Sequence, residues 1–188
     1  MAVWSGDIRS TFTSLNTQLR AGLNIAMSGI PWWTTDIGGF FGGEPANPEF
    51  RELLVRWFQY GTFCPLFRLH GYRLPAVELG GFGTGADNEV WSYGEEAFGI
   101  LRQYLFIREK LRPYLASLGK LEEQKGLPPM RPVFFDFNDP AAQAIDDMLV
   151  HCARLQEGQE VLILACVDGL HGGDNLVDET AVSWIQPA

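Results

Sequence analysis

Segments with strand character alternate with amphipathic helical segments along most of the chain, and this alternation limits the possible folds more than any other feature. The clearest helical stripe has the i, i+3, i+4, i+7, i+8 spacing of one helix face and consists of Phe50, Leu53, Leu54, Trp57 and Phe58. Strand, helix, strand, helix is the order typical of α/β folds with a parallel sheet. The pattern therefore predicts a partial (β/α)8 barrel of the TIM type, with only its later strands and helices.

Apolar runs and breaker residues give the expected bounds of these elements. Strands are predicted at 1–4, 30–37, 62–69 and 132–137, with a further buried strand at 161–167. Helices are predicted at 8–28, 48–60, 92–118 and 141–155. Pro113 should kink or split the third helix, and Ser92 with Glu95 has the spacing of a capping box. The Gly-rich segment 74–90 predicts a loop.

Composition narrows the classes of partner. The chain has 188 residues, enough for one domain with a real core, and a net charge of −9. An acidic surface disfavours nucleic acid and anionic membranes but permits a neutral ligand. The amino terminus lacks signal-peptide features, and the longest apolar stretch, 161–167, is too short to span a bilayer. A soluble protein is therefore expected; its compartment stays open, with the cytoplasm favoured, and so does its oligomeric state.

Cysteines and aromatic residues give weaker indications. Cys64, Cys152 and Cys166 show no CxxC motif and no Cys/His spacing, so no structural metal site is predicted. Aromatic residues make up 13% of the chain, which is high. Aromatic side chains fill cores and also form flat platforms for sugar rings, and composition does not separate these two uses.

Polar residues recur where the predicted strands end. Asp7, Asp36 and His70 each lie at or just after the carboxyl end of a strand, and these ends converge on one face of a parallel barrel. Trp4, Phe40 and Arg73 lie within a few residues of these ends. Such a group suits a neutral polyhydroxylated ligand. Each residue also has an ordinary structural interpretation: a helix cap for Asp7, a turn for Asp36 and a hydrogen-bonded structural histidine for His70.

Three motifs carry a resemblance to a known family. They are Trp4-Ser5-Gly6-Asp7, the run from Ile30-Pro31-Trp32-Trp33 through Asp36-Ile37-Gly38-Gly39-Phe40, and Phe67-Arg68-Leu69-His70-Gly71. In order and spacing they resemble glycoside hydrolase family 31, which contains α-glucosidases and α-xylosidases. The likeness runs from about residue 3 to 147, and the double tryptophan and the Arg-Leu-His-Gly run look most like the α-xylosidase branch.

The resemblance implies a role for each residue of the group. Asp7 would be the general acid/base of a retaining α-glycosidase that acts on terminal α-linked sugars in carbohydrate metabolism. Trp4 and Phe40 would wall the sugar subsite, while Asp36 and His70 would bind the sugar or lie beside the acid/base. Arg73 lies beyond the matched motif and is a further substrate-binding candidate. No metal or organic cofactor is expected, and the partner would be an α-linked oligosaccharide or glycoside.

The resemblance also predicts which catalytic and substrate-binding residues of the family this chain lacks. The family's nucleophilic carboxylate and a subsite arginine precede the Trp-Ser-Gly-Asp motif, so the chain by itself is expected to lack both and to be inactive. Residues 1–147 would form the partial barrel, and 148–188 a divergent segment, as an altered reading frame or an unspliced intron would produce.

The sequence leaves four other functions open. The chain could be a non-catalytic sugar-binding remnant. Asp7, Asp36 and His70 could instead hold a metal in a metal-dependent hydrolase. A transglycosidase or a lyase would use the same acid/base, so the sequence does not separate these outcomes from hydrolysis.

Overall fold

The computed structural model describes residues 1–79, 82–136, 138, 140, 149–155 and 159–165. Its strands are β1 Ala2–Trp4, β2 Trp32–Thr34, β3 Phe41–Gly43, β4 Tyr72–Leu79, β5 Phe82–Ala86, β6 Arg131–Pro132, β7 Leu149–Leu155 and β8 Gln159–Ala165. Its helices are α1 Phe12–Met27, α2 Pro48–Phe63, α3 Glu95–Lys110 and α4 Arg112–Lys125, with short 3₁₀ turns at Val90–Tyr93 and Val133–Phe135.

The first two strands form a parallel pair joined through α1. Trp4 of β1 lies opposite Thr34 of β2, so the ends that precede Asp7 and Asp36 lie side by side. Thr11 caps the amino end of α1, and its side chain accepts a hydrogen bond from the Ser14 amide at 3.1 Å. A strand, a crossover helix and a parallel strand are the repeating unit of a (β/α)8 barrel, and the predicted α/β class is confirmed.

The predicted strand at 62–69 is wrong as an assignment, although part of it lies beside β2. α2 continues to Phe63, and the Thr62 hydroxyl donates to the Phe58 carbonyl within its last turn. Beyond Pro65, the Leu66 amide donates to Trp33 O at 3.4 Å, and the Ile37 amide donates to Arg68 O at 3.2 Å. Residues 66–68 therefore run alongside β2 with few backbone hydrogen bonds. Pro65, directly before them, has no amide hydrogen to donate.

Alternate residues of the β2 segment face two different layers. Trp33 packs against Gly22 of α1, and Thr35 accepts a hydrogen bond from Trp57 Nε1 of α2 at 2.7 Å. Thr34, from the opposite face, lines an open cavity on the other side of the strands. The main core lies on the helical side, with α1 and α2 burying their apolar stripes there. Its largest fully buried members are Trp33, Trp57, Tyr60, Tyr93, Phe58, Leu15, Leu19, Ile37, Leu54, Leu101 and Met130.

The Gly-rich segment predicted to be a loop forms a hairpin instead. β4 pairs antiparallel with β5 and parallel with β3, which ties the hairpin to the strand that follows Phe40. Glycine and proline obscured the strands because they are depleted from most β-strands. The Ser92 capping box is also wrong, since Gly94 occupies the cap position and the Ser92 hydroxyl bonds to Glu89 at 3.1 Å. The long helix divides at Leu111, two residues before Pro113, as predicted.

The carboxy-terminal predictions were correct only in part. The strand at 132–137 is observed as the two-residue β6 followed by a 3₁₀ turn, whereas 159–165 form β8 close to the expected strand. Residues 149–155, predicted as the end of a helix, form β7, which pairs with β6 and β8. Residues 141–148 and 166–167 lie outside the described part, and the domain division at 147/148 stays a prediction. No helix in the described ranges is long and apolar enough to cross a bilayer.

Candidate functional site

Backbone hydrogen bonds join the three segments that carry the candidate residues. The Ile8 carbonyl accepts from the amides of Phe40 at 2.8 Å and Phe41 at 3.0 Å, and the Phe40 carbonyl accepts from the Tyr72 amide at 2.8 Å. A Cβ at Gly39 would lie 2.7 Å from the Ser10 Cα, so only glycine permits this approach at its φ of +76°. Residues 7–10, 36–41 and 70–73 therefore form one edge, which we call the site edge.

Asp36 lies at the inner side of this edge. Its side chain is completely buried, and one carboxylate oxygen forms an ion pair with Nη2 of Arg68. The other oxygen, Oδ2, is also buried and has no hydrogen-bond partner among the described residues. The Arg68 guanidinium lies 5.8 Å from the ring centroid of Trp4, so Arg68 connects the buried aspartate to the half-exposed tryptophan of the first motif.

Phe40 and His70 form the second contact between predicted residues. Their ring centroids are 5.4 Å apart with the planes inclined at 51°, and Phe40 also meets Phe41 edge to face at 4.5 Å. The His70 side chain is exposed, whereas Phe40 is partly buried. This pair presents an apolar ring and an imidazole side by side, a combination that suits one face and the hydroxyl groups of a sugar.

Asp7 is exposed and lies next to Ile8, whose carbonyl binds the Phe40 segment. It does not cap α1, because the capping residue is Thr11, four positions later. The interpretation of Asp7 as a helix cap is therefore wrong. Its side chain is left at the surface of the site edge, where a carboxylic acid can reach a bound molecule.

Arg73, like Asp36 and unlike the other candidates, has a completely buried side chain. Its guanidinium donates to the carbonyls of Gly39 at 2.8 Å and Ile37 at 2.9 Å, and Nε donates to Asn88 Oδ1 at 3.0 Å and the Tyr93 hydroxyl at 3.1 Å. The Tyr93 hydroxyl in turn donates to Asn88. Burial raises the pKa of Tyr93 and Arg73 opposes this rise, so the phenol keeps the proton that it donates.

An open cavity of about 360 Å³ lies against the inner face of the strands. It is lined by Ala2, Val3, Trp4, Thr34, Leu66, Phe67 and Arg68. The face opposite the helices of a β/α barrel is the barrel interior, where these side chains would pack in layers. Within the described ranges, no three or more His, Cys, Asp or Glu side chains are grouped to hold a metal ion, so the metal-site alternative finds no support there.

Sequence reasoning missed three residues that the geometry connects to the predicted ones. Arg68 lies inside the third motif, two positions before His70, and its spacing from Asp36 gave no sign of the ion pair. Asn88 and Tyr93 follow β5 and lie in or beside the segment predicted as a loop. Neither residue belongs to a periodic apolar pattern in the sequence, and only the folded chain brings them to Arg73.

The architecture and the three joined motifs agree with a comparison of known families. Residues 1–118 match the family model described as the glycosyl hydrolases family 31 TIM-barrel domain. The chain belongs to family 31. Members of family 31 are glycosidases that hydrolyse O-glycosyl bonds.

Several relatives in family 31 are similar to this chain over most of its length. The α-xylosidase of Saccharolobus solfataricus is 41% identical over 136 residues, which cover 72% of this chain and 17% of the relative. α-Xylosidase A of Aspergillus niger is 37% identical over 142 residues, covering 72% and 19% respectively. The structure of a family 31 α-xylosidase from a soil metagenome, complexed with xylose, superposes with a TM-score of 0.77 and 50% identity, covering 84% of this chain and 25% of that one. The chain thus spans a quarter or less of the length of these family 31 relatives.

Proposed function

We propose that this chain forms the acid/base-bearing part of a retaining α-glycoside hydrolase, an α-xylosidase or α-glucosidase that acts on terminal non-reducing α-linked sugars. The observation that carries the proposal is the site edge, where the segment of Asp7 is bonded through Ile8 to Phe40, whose ring contacts His70. Membership of family 31 and the sugar in the similar α-xylosidase structure support the same substrate class.

Asp7 would exchange the proton in both steps of the reaction. It would first protonate the glycosidic oxygen that leaves, and it would then take a proton from the water that attacks the glycosyl intermediate. Retaining enzymes place a second carboxylate about 5–5.5 Å away as the nucleophile. We expect that carboxylate on an upstream strand outside these 188 residues, as the family resemblance implies.

The neighbours of Asp7 would hold the sugar. Trp4 and Phe40 would provide apolar faces against the ring, and His70 would hydrogen-bond a hydroxyl group. Asp36 is buried, and its unpartnered Oδ2 is an acceptor that a nearby hydroxyl or a positioned side chain would satisfy. The described contacts of Arg73 are with protein groups, so a direct contact between Arg73 and substrate stays a prediction.

The test begins with the protein as it is translated. The mature message is sequenced across both ends of the reading frame, and the encoded protein is assayed on α-xylosides and α-glucosides. An Asp7→Asn variant is expected to lose about 10³-fold in kcat/KM on an α-linked disaccharide, because the sugar alkoxide is a poor leaving group that needs a proton. It should lose far less on an aryl glycoside with an acidic phenol, since that group leaves without protonation.

Glu123→Gln, at an exposed position on α4, is the matched control and should change neither substrate's rate. Equal losses on both substrates, or no loss, would remove Asp7 from the acid/base role. The 188-residue chain assayed alone is expected to be inactive on both substrates. Turnover by that chain would contradict the expectation that the nucleophile lies outside it.

A non-catalytic sugar-binding remnant is the alternative outcome of the same experiment. Trp4 is 51% exposed and lies beside the cavity, so its fluorescence should report a bound sugar. Saturable quenching by xylose or glucose in a translated protein that hydrolyses no glycoside would favour the remnant.

A further inference from the structure

A group of polar side chains, two of them completely buried and one partly buried, lies directly behind the site edge. At its centre the Arg73 guanidinium donates to the carbonyls of Ile37 and Gly39, the residues next to Asp36 and Phe40 in the chain. Two hydrogen bonds from one planar group to alternate carbonyls fix the course of the backbone between those two candidate residues. Among the described residues, these two bonds of Arg73 reach the backbone that carries Asp36 and Phe40.

Asn88 extends the group to the third segment. Its Oδ1 accepts from Nε of Arg73 at 3.0 Å and from the Tyr93 hydroxyl, and its Nδ2 donates to the Gly71 carbonyl at 3.4 Å. Gly71 directly follows His70. One connected set of hydrogen bonds therefore reaches the backbone beside Asp36, Phe40 and His70.

Packing leaves this group little freedom. The Arg73 guanidinium lies 5.0 Å from the ring centroid of Phe50, and a Cβ at Gly38 would be 2.9 Å from Nη2 of Arg73. Gly38 also has a φ of +88°, so the loop passes the guanidinium at a distance that only glycine permits. A connected, hydrogen-bonded polar network that is largely buried favours one local structure, because each alternative leaves a polar group unpaired.

We propose that Arg73, Asn88 and Tyr93 are positioning residues that hold the 36–41 and 70–73 segments in one relative arrangement. This positioning role requires no contact with the sugar, because the three side chains act through the backbone beside Asp36, Phe40 and His70. The inference rests on the proposed function for its catalytic consequence, but the restraint on the two segments is a property of the 188-residue chain itself.

The first experiment measures amide hydrogen exchange in that chain. Tyr93→Phe keeps the ring and removes only the hydroxyl. Arg73→Met removes the guanidinium group and keeps an unbranched side chain. Both are expected to speed exchange at the amides of Ile37, Gly39, Phe40 and Tyr72 by about 5-fold or more, with the amides of α1 unchanged. Arg73→Lys should lie between Arg73→Met and the native chain, since one ammonium reaches some of the carbonyls but not all partners.

Tyr104→Phe on α3 is the matched control, because it makes the same chemical change outside this group and should leave those four amides unaffected. Equal acceleration throughout the chain in Tyr93→Phe would mean a general stability role and would overturn the proposal. So would unchanged exchange at the four amides in both Tyr93→Phe and Arg73→Met.

The second readout is catalytic and separates the proposed function from the positioning role. In the translated protein, Tyr93→Phe should lower kcat/KM for the α-linked substrate by about 5-fold or more while its thermal midpoint stays near that of Tyr104→Phe. A native protein without glycosidase activity would refute the proposed function and leave the exchange result standing. Local acceleration of exchange without any change in the kcat/KM of an active enzyme would refute the positioning role instead.

Discussion

Trp57 joins the helical layer to the strand segment that leads to Asp36. Its indole is completely buried and donates to Thr35 Oγ1 at 2.7 Å, 22 positions away in the chain. The tryptophan thus supplies both apolar area and a hydrogen bond that satisfies a buried hydroxyl. Such a contact makes the position of Thr35, and hence of the neighbouring aspartate, depend on the packing of α2.

Replacing Trp57 by phenylalanine should therefore lower the free energy of unfolding substantially. The variant leaves a cavity and an unpaired Thr35 hydroxyl, and we expect a loss of about 2–4 kcal/mol in the free energy of unfolding. Urea denaturation followed by circular dichroism measures the change. Trp91→Phe, at a 66% exposed position, is the control and should shift stability by no more than about 0.5 kcal/mol. Similar losses in the two variants would contradict this account.

Cys64 gives a residue-level prediction about reactivity. Burial raises the pKa of its thiol from 9.0 to about 12, with Tyr60 and Arg108 opposing the rise. Because the thiolate is the reactive form, alkylation of Cys64 in the folded chain at pH 8 should be at least about 100-fold slower than in urea. Peptide mapping by mass spectrometry after timed labelling measures the rate at this site.

The same shift sets a pH dependence for stability. The folded pKa of Cys64 is above the unfolded one, so its contribution is fully present below pH 9.0 and is lost as the pH rises towards about 12. Urea midpoints of the native chain should fall over this range more steeply than those of Cys64→Ala. Parallel curves would show that the thiol does not titrate as its burial implies.

Among the elements, α2 has the clearest local determinants. Asn47 accepts a hydrogen bond from the Glu49 amide at 2.8 Å, Pro48 occupies the first turn, and the apolar stripe faces the core. These signals all lie within the helix itself, which explains why its start was predicted to the residue. Its end was not, because Gly61 packs against Ile37 inside the helix instead of ending it.

The cap of α2 can be tested with two substitutions. Asn47→Ala should lower the free energy of unfolding by about 1 kcal/mol, since it leaves the Glu49 amide without its acceptor. Asn47→Asp keeps the acceptor and adds a charge that the helix dipole favours, so it should be neutral or slightly stabilising. Urea midpoints of the two variants measured together decide the matter; equal loss in both would exclude the capping explanation.

At the scale of the whole molecule, Arg108 ties α3 to the segment that leads to Arg68. Its guanidinium donates to the carbonyls of Thr62 at 2.7 Å, Cys64 at 2.6 Å and Pro65 at 3.1 Å. The carbonyls at the end of a helix lack partners within it, and the next segment has few strand bonds. The arginine therefore stabilises a part of the chain that secondary structure leaves weakly held.

Loss of this arginine should affect the stability of the molecule more than loss of a surface one. Arg108→Met is expected to lower the free energy of unfolding by about 2 kcal/mol or more, because three buried carbonyls lose a charged donor. Arg112→Met removes an exposed ion pair with Glu109 and should cost no more than about 0.5 kcal/mol. Chemical denaturation compares them, and a smaller effect for Arg108→Met would contradict the proposed link.

The sequence by itself determined the features that depend on residues close together in the chain. The stripes of α1 and α2, the break near Pro113 and the three motifs are all local, and they sufficed for the α/β class and for family 31. Tertiary structure alone decided that Arg68 pairs with Asp36 and that Arg73 is buried against Asn88 and Tyr93. Tertiary structure also decided that the segment rich in Gly and Pro forms the strands β4 and β5. β4 pairs with β3, which lies much earlier in the chain, and the Gly and Pro residues of the β4–β5 hairpin are poor strand formers, so no local pattern specifies these strands.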